Sequence, residues 1–119
     1  MRLIPDDLRT RLRTNGQFNE TRRNNGEKEI DFMPLVKLFD PCGAATWLLS
    51  EIDPHDPDIA FGLCDLVMGF PELGYVSLSE IESVKGPLGI GIEREEGFRA
   101  TKTLQAYADE ARLHQRIIA

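Results

Sequence analysis

Acidic side chains crowd one short segment of the chain, between two runs of apolar residues. The segment contains Glu51, Asp53, His55, Asp56 and Asp58. Carboxylate oxygens at alternate positions can converge on Mg²⁺ or Ca²⁺, and an imidazole adds a ligand for a transition metal. Paired carboxylates can also carry out general acid–base catalysis. The alternative is a plain turn, because Asp and Pro favour turns for conformational reasons and two prolines interrupt the segment.

The charge of the chain is unevenly distributed. The total is −6, from 14 Lys and Arg against 20 Asp and Glu. Residues 31–96 carry 3 basic and 13 acidic groups, whereas residues 1–30 and 97–119 each carry a net charge of +2. The candidate acidic face consists of Glu51, Asp53, Asp56, Asp58, Asp65, Glu72, Glu80 and Glu82. Such a face either confers solubility or binds a basic protein partner.

The arginines near the N-terminus offer a different kind of surface. Arg9, Arg11, Arg13, Arg22 and Arg23 could contact phosphates directly. The overall acidity argues against general nucleic-acid binding and against docking on an anionic membrane, because both require an excess of Lys and Arg. Direct nucleic-acid binding is therefore the less favoured prediction.

Three aromatic residues fall on successive predicted strands. Trp47, Phe61 and Tyr75 form part of the core if they share one face of the sheet, which is the interpretation we favour. If Trp47 or Tyr75 points outward, these rings form a binding platform instead. The nearby hydroxyls of Ser77 and Ser79 fit helix capping better than nucleophilic catalysis.

The elements that position these residues follow from hydrophobic period and turn residues. The pattern predicts an N-terminal helix over 5–14, ended by Asn15-Gly16, and a mobile loop over 17–31. It then predicts strands over 35–39, 45–52, 59–67 and 75–78, a turn over 69–74, a helical turn over 79–84, an extended segment near 90–92 and a C-terminal helix capped by Thr101 or Thr103. The predicted fold is α+β: a single domain over 1–119, with a small antiparallel sheet of four to five strands and helices at both ends.

The remaining composition indicates a cytoplasmic protein without a cofactor. The N-terminus lacks the apolar region of a signal peptide, and no apolar run is long enough to span a membrane. Cys42 and Cys64 lie far apart in no paired motif, so we expect two reduced thiols. Ile117 and Ile118 either dock on the core or contribute to a dimer contact, which leaves monomer and homodimer open.

The second half of the chain resembles a known family. Residues 72–89, which run from Glu72-Leu73-Gly74-Tyr75 to Gly86-Pro87-Leu88-Gly89, together with Ile92-Glu93-Arg94, resemble domain of unknown function 2958. Val36-Lys37-Leu38-Phe39, Thr46-Trp47 and Phe61-Gly62-Leu63 are similar to its earlier part, so the resemblance covers about residues 34–99. It implies a bacterial protein, often carried on plasmids and integrative elements, with no established activity and no agreed catalytic residues.

These observations predict a non-enzymatic binding module of a mobile element. Its acidic surface would engage a basic protein partner, of a nucleic-acid-handling or host-defence kind, as an anti-restriction or DNA-mimic protein does. One alternative is a small metal-assisted hydrolase or nuclease-like enzyme that uses the loop from Glu51 through His55 to Asp58. The other is direct nucleic-acid binding through the N-terminal arginines.

Overall fold

The chain folds into an α+β architecture, as predicted. The computed structural model describes residues 3–66 and 69–119. Its helices are α1 (Asp6–Asn24), α2 (Leu78–Ser83) and α3 (Leu104–His114), with a single 3₁₀ turn at Pro87–Gly89. Its strands are β1 (Val36–Phe39), β2 (Thr46–Ile52), β3 (Ile59–Asp65), β4 (Glu72–Ser77) and β5 (Glu93–Arg94). All pairings in the sheet are antiparallel, in the order β4-β3-β2-β1-β5.

Helix α1 is much longer than the sequence predicts. The prediction that Asn15-Gly16 ends it, and that residues 17–31 form a loop, is wrong for residues 17–24, which continue the helix. Gly16 is buried inside α1 for a steric reason. A Cβ at that position would lie 2.0 Å from the backbone oxygen of Ile52, so only glycine lets the helix approach β2 this closely.

Two polar residues of α1, Asn15 and Asn19, make hydrogen bonds to distant parts of the chain. Asn15 Nδ2 donates to the backbone oxygen of Ser50 at 3.0 Å. Asn19, 1% exposed, accepts from the backbone N–H of Ile30 at 2.7 Å and donates to the oxygen of the same residue at 3.0 Å. The bonds of Asn19 tie the segment after α1 back onto the helix, whereas most other polar residues of 17–31 are exposed.

Strand β2 contains a bulge that changes which face its last residues occupy. Ser50 has no partner in β3, and the register shifts between Leu49, which pairs with Gly62, and Glu51, which pairs with Phe61. Strict alternation predicts Ile52 on the same face as Leu48. That prediction is wrong, because the extra residue returns Ile52 to the face of Leu49.

Apolar residues cover both faces of the sheet. Helices α1 and α2 pack on one face, where the buried cluster is Ile4, Leu12, Val36, Leu38, Trp47, Leu49, Ile52, Ala60, Leu78, Ile81 and Ile92. Helix α3 packs on the other, where the buried cluster is Leu48, Leu63, Leu104, Tyr107, Ala108 and Ala111. Since both faces carry apolar side chains, the sheet is the middle layer between helices.

The shorter elements start at identifiable caps. Thr103, one of the two predicted caps, accepts a hydrogen bond from the N–H of Ala106 at 3.3 Å and begins α3. Strand β4 begins at Glu72, so the prediction of a turn over 69–74 is wrong for its last three residues. Among residues 3–66 and 69–119, none of the helices combines the length and apolar character needed to cross a bilayer.

Candidate functional site

The β2–β3 hairpin and the start of α2 meet at one end of the sheet. Ile59 pairs with Ser77, which places the hairpin loop beside the first turn of α2. Six of the eight candidate acidic residues belong to this end, which we call the acidic end: Glu51, Asp53, Asp56, Asp58, Glu80 and Glu82. Asp65 and Glu72 lie at the opposite end, where Cys64 pairs with Glu72. The eight acids therefore do not form one continuous face.

Asp58 is the acid of the acidic end whose carboxylate accepts the most hydrogen bonds. Its carboxylate accepts from Ser77 Oγ at 2.6 Å, from Ser79 Oγ at 2.9 Å and from the backbone N–H of Ser79 at 2.8 Å. These hydrogen bonds, from Ser77 first and then Ser79, hold the pKa of Asp58 below its ordinary value. Ser77 Oγ in turn accepts from the N–H of Glu80 at 3.2 Å, as the predicted helix cap. The two serines thus fix a charged carboxylate and begin α2.

Two further aspartates shape the hairpin loop. Asp53 Oδ1 accepts from the backbone N–H of His55 at 2.8 Å, and Asp56 Oδ1 accepts from that of Asp58 at 3.0 Å. Both are turns closed by an aspartate side chain, the conformational role that Asp commonly plays in loops. Each turn uses one carboxylate oxygen, and neither residue forms an ion pair with another described residue, so these residues form the turn and still carry charge.

Other candidate acids serve internal contacts. Glu82 Oε1 accepts from the backbone N–H of Leu3 and from the Arg9 guanidinium, both at 3.3 Å, and so joins α2 to α1. Asp65, 4% exposed, accepts from the N–H of Ile117 at 3.1 Å and anchors the C-terminal segment. These two residues hold the fold together and are poorly placed to meet a partner.

Glu51 is half-buried against α1. Its carboxylate accepts from Asn19 Nδ2 at 3.0 Å. Burial raises the pKa of Glu51 above its ordinary value, the hydrogen bond from Asn19 opposes this, and the charges of Glu29 and Arg23 act in opposite directions. Glu51 is therefore the acid of this region whose charge is least favoured by its surroundings.

The predicted metal ligands are not brought together. His55 Nε2 lies 2.6 Å from Glu20 Oε2, a residue of α1 outside the predicted set, while Asp58 turns toward the serines of α2. In the described ranges, no group of three or more His, Cys, Asp or Glu side chains is placed to hold a metal ion.

The three aromatic residues do not share a face. Trp47 is 6% exposed and belongs to the cluster under α1, whereas Phe61 packs against the cluster under α3. Tyr75, directly across from Phe61 on β4, is 65% exposed, and the two ring centroids lie 5.1 Å apart. The prediction of one shared core face is wrong, because β2 presents Trp47 to one side and β3 presents Phe61 to the other.

Most of the N-terminal arginines are already paired. Arg9 contacts Glu82, Arg22 contacts Glu27 at 3.4 Å, and Arg23 contacts Glu29 at 2.6 Å. Arg11 and Arg13 make no ion pair within the described part of the chain. The predicted basic surface is therefore largely neutralised along α1.

A different set of arginines lines a cavity that the sequence does not indicate. Arg11, Arg94 and Arg99 border a cavity of about 590 Å³ between the start of α1, the entry to β1 and the segment after β5. No local motif joins these residues, since Arg11 and Arg94 are 83 positions apart. The structure brings Arg94 to this cavity through the short antiparallel pairing of β5 with β1, which places Arg94 beside Leu38.

The two thiols are chemically unlike. Cys42 and Cys64 are both free, as predicted, but Cys42 is exposed whereas Cys64 is half-buried in the sheet. Burial, with a smaller contribution from the charge of Glu72, raises the pKa of Cys64 to about 11. The Cys64 thiol is thus protonated at neutral pH and a poor nucleophile.

Comparison with known proteins identifies a family but no individual relative. A family model described as protein of unknown function (DUF2958) matches residues 3–118. The match includes α1 and α3, and so extends beyond residues 34–99, on which the resemblance was first based. No curated protein and no solved structure matches the chain.

Proposed function

Since the chain belongs to the DUF2958 family, whose description names no activity, we propose a function from its geometry: a non-enzymatic binding module whose acidic end engages a basic protein partner. The observation that carries this proposal is a group of four acids, Asp53, Asp56, Asp58 and Glu80. They lie together at the hairpin and the start of α2, and none forms an ion pair with Lys, Arg or His in residues 3–66 and 69–119.

The geometry favours recognition because three of these four charges are held in place. Asp53 and Asp56 are fixed by the loop bonds that they accept, and Asp58 by two serines. A carboxylate that is already ordered loses little conformational freedom on binding. Carboxylates without an ion-pair partner at one end of a small protein also raise the rate at which an oppositely charged partner arrives.

The chemistry of the partner follows from the sign of this surface. Carboxylates on a rigid scaffold compete for sites that bind phosphates, so the proposed partner is a basic protein that handles nucleic acid or defends the host against it. We place the encounter in the cytoplasm of a cell that carries a mobile element. Two free cysteines support this location, because secreted domains more often pair their thiols.

The test compares two triple variants of the full chain. D53N/D56N/E80Q removes three charges from the acidic end, and its two asparagines keep the oxygen that each loop bond requires. E72Q/E93Q/E96Q makes the same charge change at exposed positions elsewhere. Each immobilised protein is exposed to bacterial lysate over a salt series, and the proteins retained are quantified by mass spectrometry.

The expected result is a basic protein retained by the wild type and by E72Q/E93Q/E96Q, and released as salt rises. Its recovery on D53N/D56N/E80Q falls at least about tenfold at low salt, the lower end of the effect of electrostatic steering. Two results would overturn the proposal: no salt-sensitive partner, or equal losses with both triple variants.

A further inference from the structure

The arginine-lined cavity has the size and position of a small-molecule site. It lies between the first two turns of α1, the residues that lead into β1 and the segment that follows β5. Its volume of about 590 Å³ is within the range of roughly 300–1,000 Å³ typical of ligand pockets. It is separate from the acidic end, since the residues that line it include none of the six acids there.

The cavity carries more positive than negative charge. The guanidinium groups of Arg11, Arg94 and Arg99 make no ion pair or hydrogen bond with any described residue. Two carboxylates also line the cavity, Asp7 and Glu95, but Glu95 lies 3.1 Å from the ammonium of Lys37 and is offset by it. Three guanidinium groups therefore face one unpaired carboxylate.

Arginine in this number indicates a particular kind of anion. The planar guanidinium donates two parallel hydrogen bonds to phosphate or carboxylate oxygens, and it is charged at every physiological pH. Arg94 is half-buried and Arg99 is exposed, and both line the cavity. Such a pair can bind a phosphate group from two sides.

Part of the wall of the cavity is apolar. Leu8, Met33 and Phe98 line it beside the arginines. Leu8 and Phe98 are half-buried and Met33 is 45% exposed, so each has surface left to cover. An inorganic anion would leave this wall in contact with water, whereas a ligand with a flat apolar part would cover it.

We propose that this cavity binds a nucleoside phosphate, with the phosphate held by Arg11, Arg94 and Arg99 and the base against Leu8, Met33 and Phe98. Asp7 remains available to accept hydrogen bonds from a ribose or from an exocyclic amine. This function is independent of the partner surface, because the two sites share no residue.

The test is isothermal titration of the full chain with ADP at low salt. ADP is expected to bind saturably, and to bind at least tenfold more tightly than either adenosine or pyrophosphate, because each of these lacks half of the contacts. R94Q and R99Q are each expected to weaken ADP binding at least tenfold. R112Q, a matched loss of charge at an exposed position of α3, is expected to change it less than twofold.

Arg99 is exposed, so R99Q keeps the test valid even if R94Q folds poorly. The proposal is overturned if ADP gives no saturable heat, if pyrophosphate binds as tightly as ADP, or if R112Q weakens binding as much as R99Q. A 5′-phosphorylated single-stranded oligonucleotide that binds more tightly than ADP would also overturn it in favour of nucleic acid. D53N/D56N/E80Q should leave ADP binding unchanged, so each proposal can fail without the other.

Discussion

Replacing Gly16 with alanine should destabilise the protein even though alanine is the better helix former. Gly16 lies in the middle of α1 and faces β2. A Cβ there would meet the backbone oxygen of Ile52 at 2.0 Å and its carbonyl carbon at 3.0 Å. Both atoms belong to the main chain of a central strand, so no side chain can rotate away to relieve the contact.

The size of the effect follows from the movement that the new methyl group requires. An ordinary contact lies at 3.4 Å or more, so α1 and β2 must separate locally by about 1.4 Å. Overpacking of this kind costs roughly 1–3 kcal/mol. The separation also stretches the hydrogen bonds of Asn15 and Asn19 to β2, each worth about 1 kcal/mol. Against these losses, alanine gains about 1 kcal/mol in helix propensity.

We therefore expect Gly16→Ala to lower the free energy of unfolding by about 2 kcal/mol. Urea denaturation followed by circular dichroism measures this, and with a slope of roughly 2 kcal/mol/M the midpoint should fall by about 1 M. Gly74→Ala is the matched control. A Cβ at Gly74 has no atom within 4 Å among the residues described, so this variant should be neutral or slightly stabilised. A Gly16→Ala protein as stable as the wild type would refute the steric argument.

Three further predictions concern thiols, pH and capping. With a thiol reagent at pH 8, Cys42 should react fully and Cys64 much more slowly. The pKa of Cys64 is about 11, so only about one Cys64 thiol in a thousand is ionised at that pH. Equal reaction rates for the two thiols would contradict this. Burial keeps the pKa of Glu51 above its ordinary 4.5, so the folded state binds more protons than the unfolded chain and loses stability as pH rises through the folded pKa. Glu51→Gln should then be more stable than the wild type at neutral pH and equal to it well below pH 4.5, as denaturation midpoints across pH would show; a difference independent of pH would argue against it. Thr103→Ala should cost about 1 kcal/mol of unfolding free energy, because the cap of α3 is lost; calorimetry that finds no change in Tm would exclude this role.

The parts of the fold that the sequence predicts are those that depend on neighbouring residues. Strands β2 and β3 follow from alternating apolar residues, and the prolines and aspartates between them favour the turn. The length of α1 could not be predicted in this way. Asn15, Gly16 and Asn19 resemble a helix end and a loop in local terms, but their partners are Ser50, Ile52 and Ile30, which are distant in sequence.

The site shows the same division between local and distant information. The acidic hairpin could be identified because its residues are consecutive, and its turn conformation follows from Asp53 and Asp56 alone. The sequence could not identify the acids that make internal contacts, because Glu82 meets Arg9 and Asp65 meets Ile117 only once the chain is folded. The arginine-lined cavity depends on three separate segments, so no spacing in the sequence indicates it.

The bulge in β2 has a consequence for how the chain can change in length. With Ser50 removed, Leu48 would still face α3 while Leu49 and Ile52 would still face α1, and the strand would then alternate strictly. Ser50 is therefore an inserted residue that the hydrophobic pattern does not need. Most single-residue deletions in a central strand exchange its two faces, but a deletion here preserves them. We expect members of this family to differ in length by one residue at this position while keeping both cores.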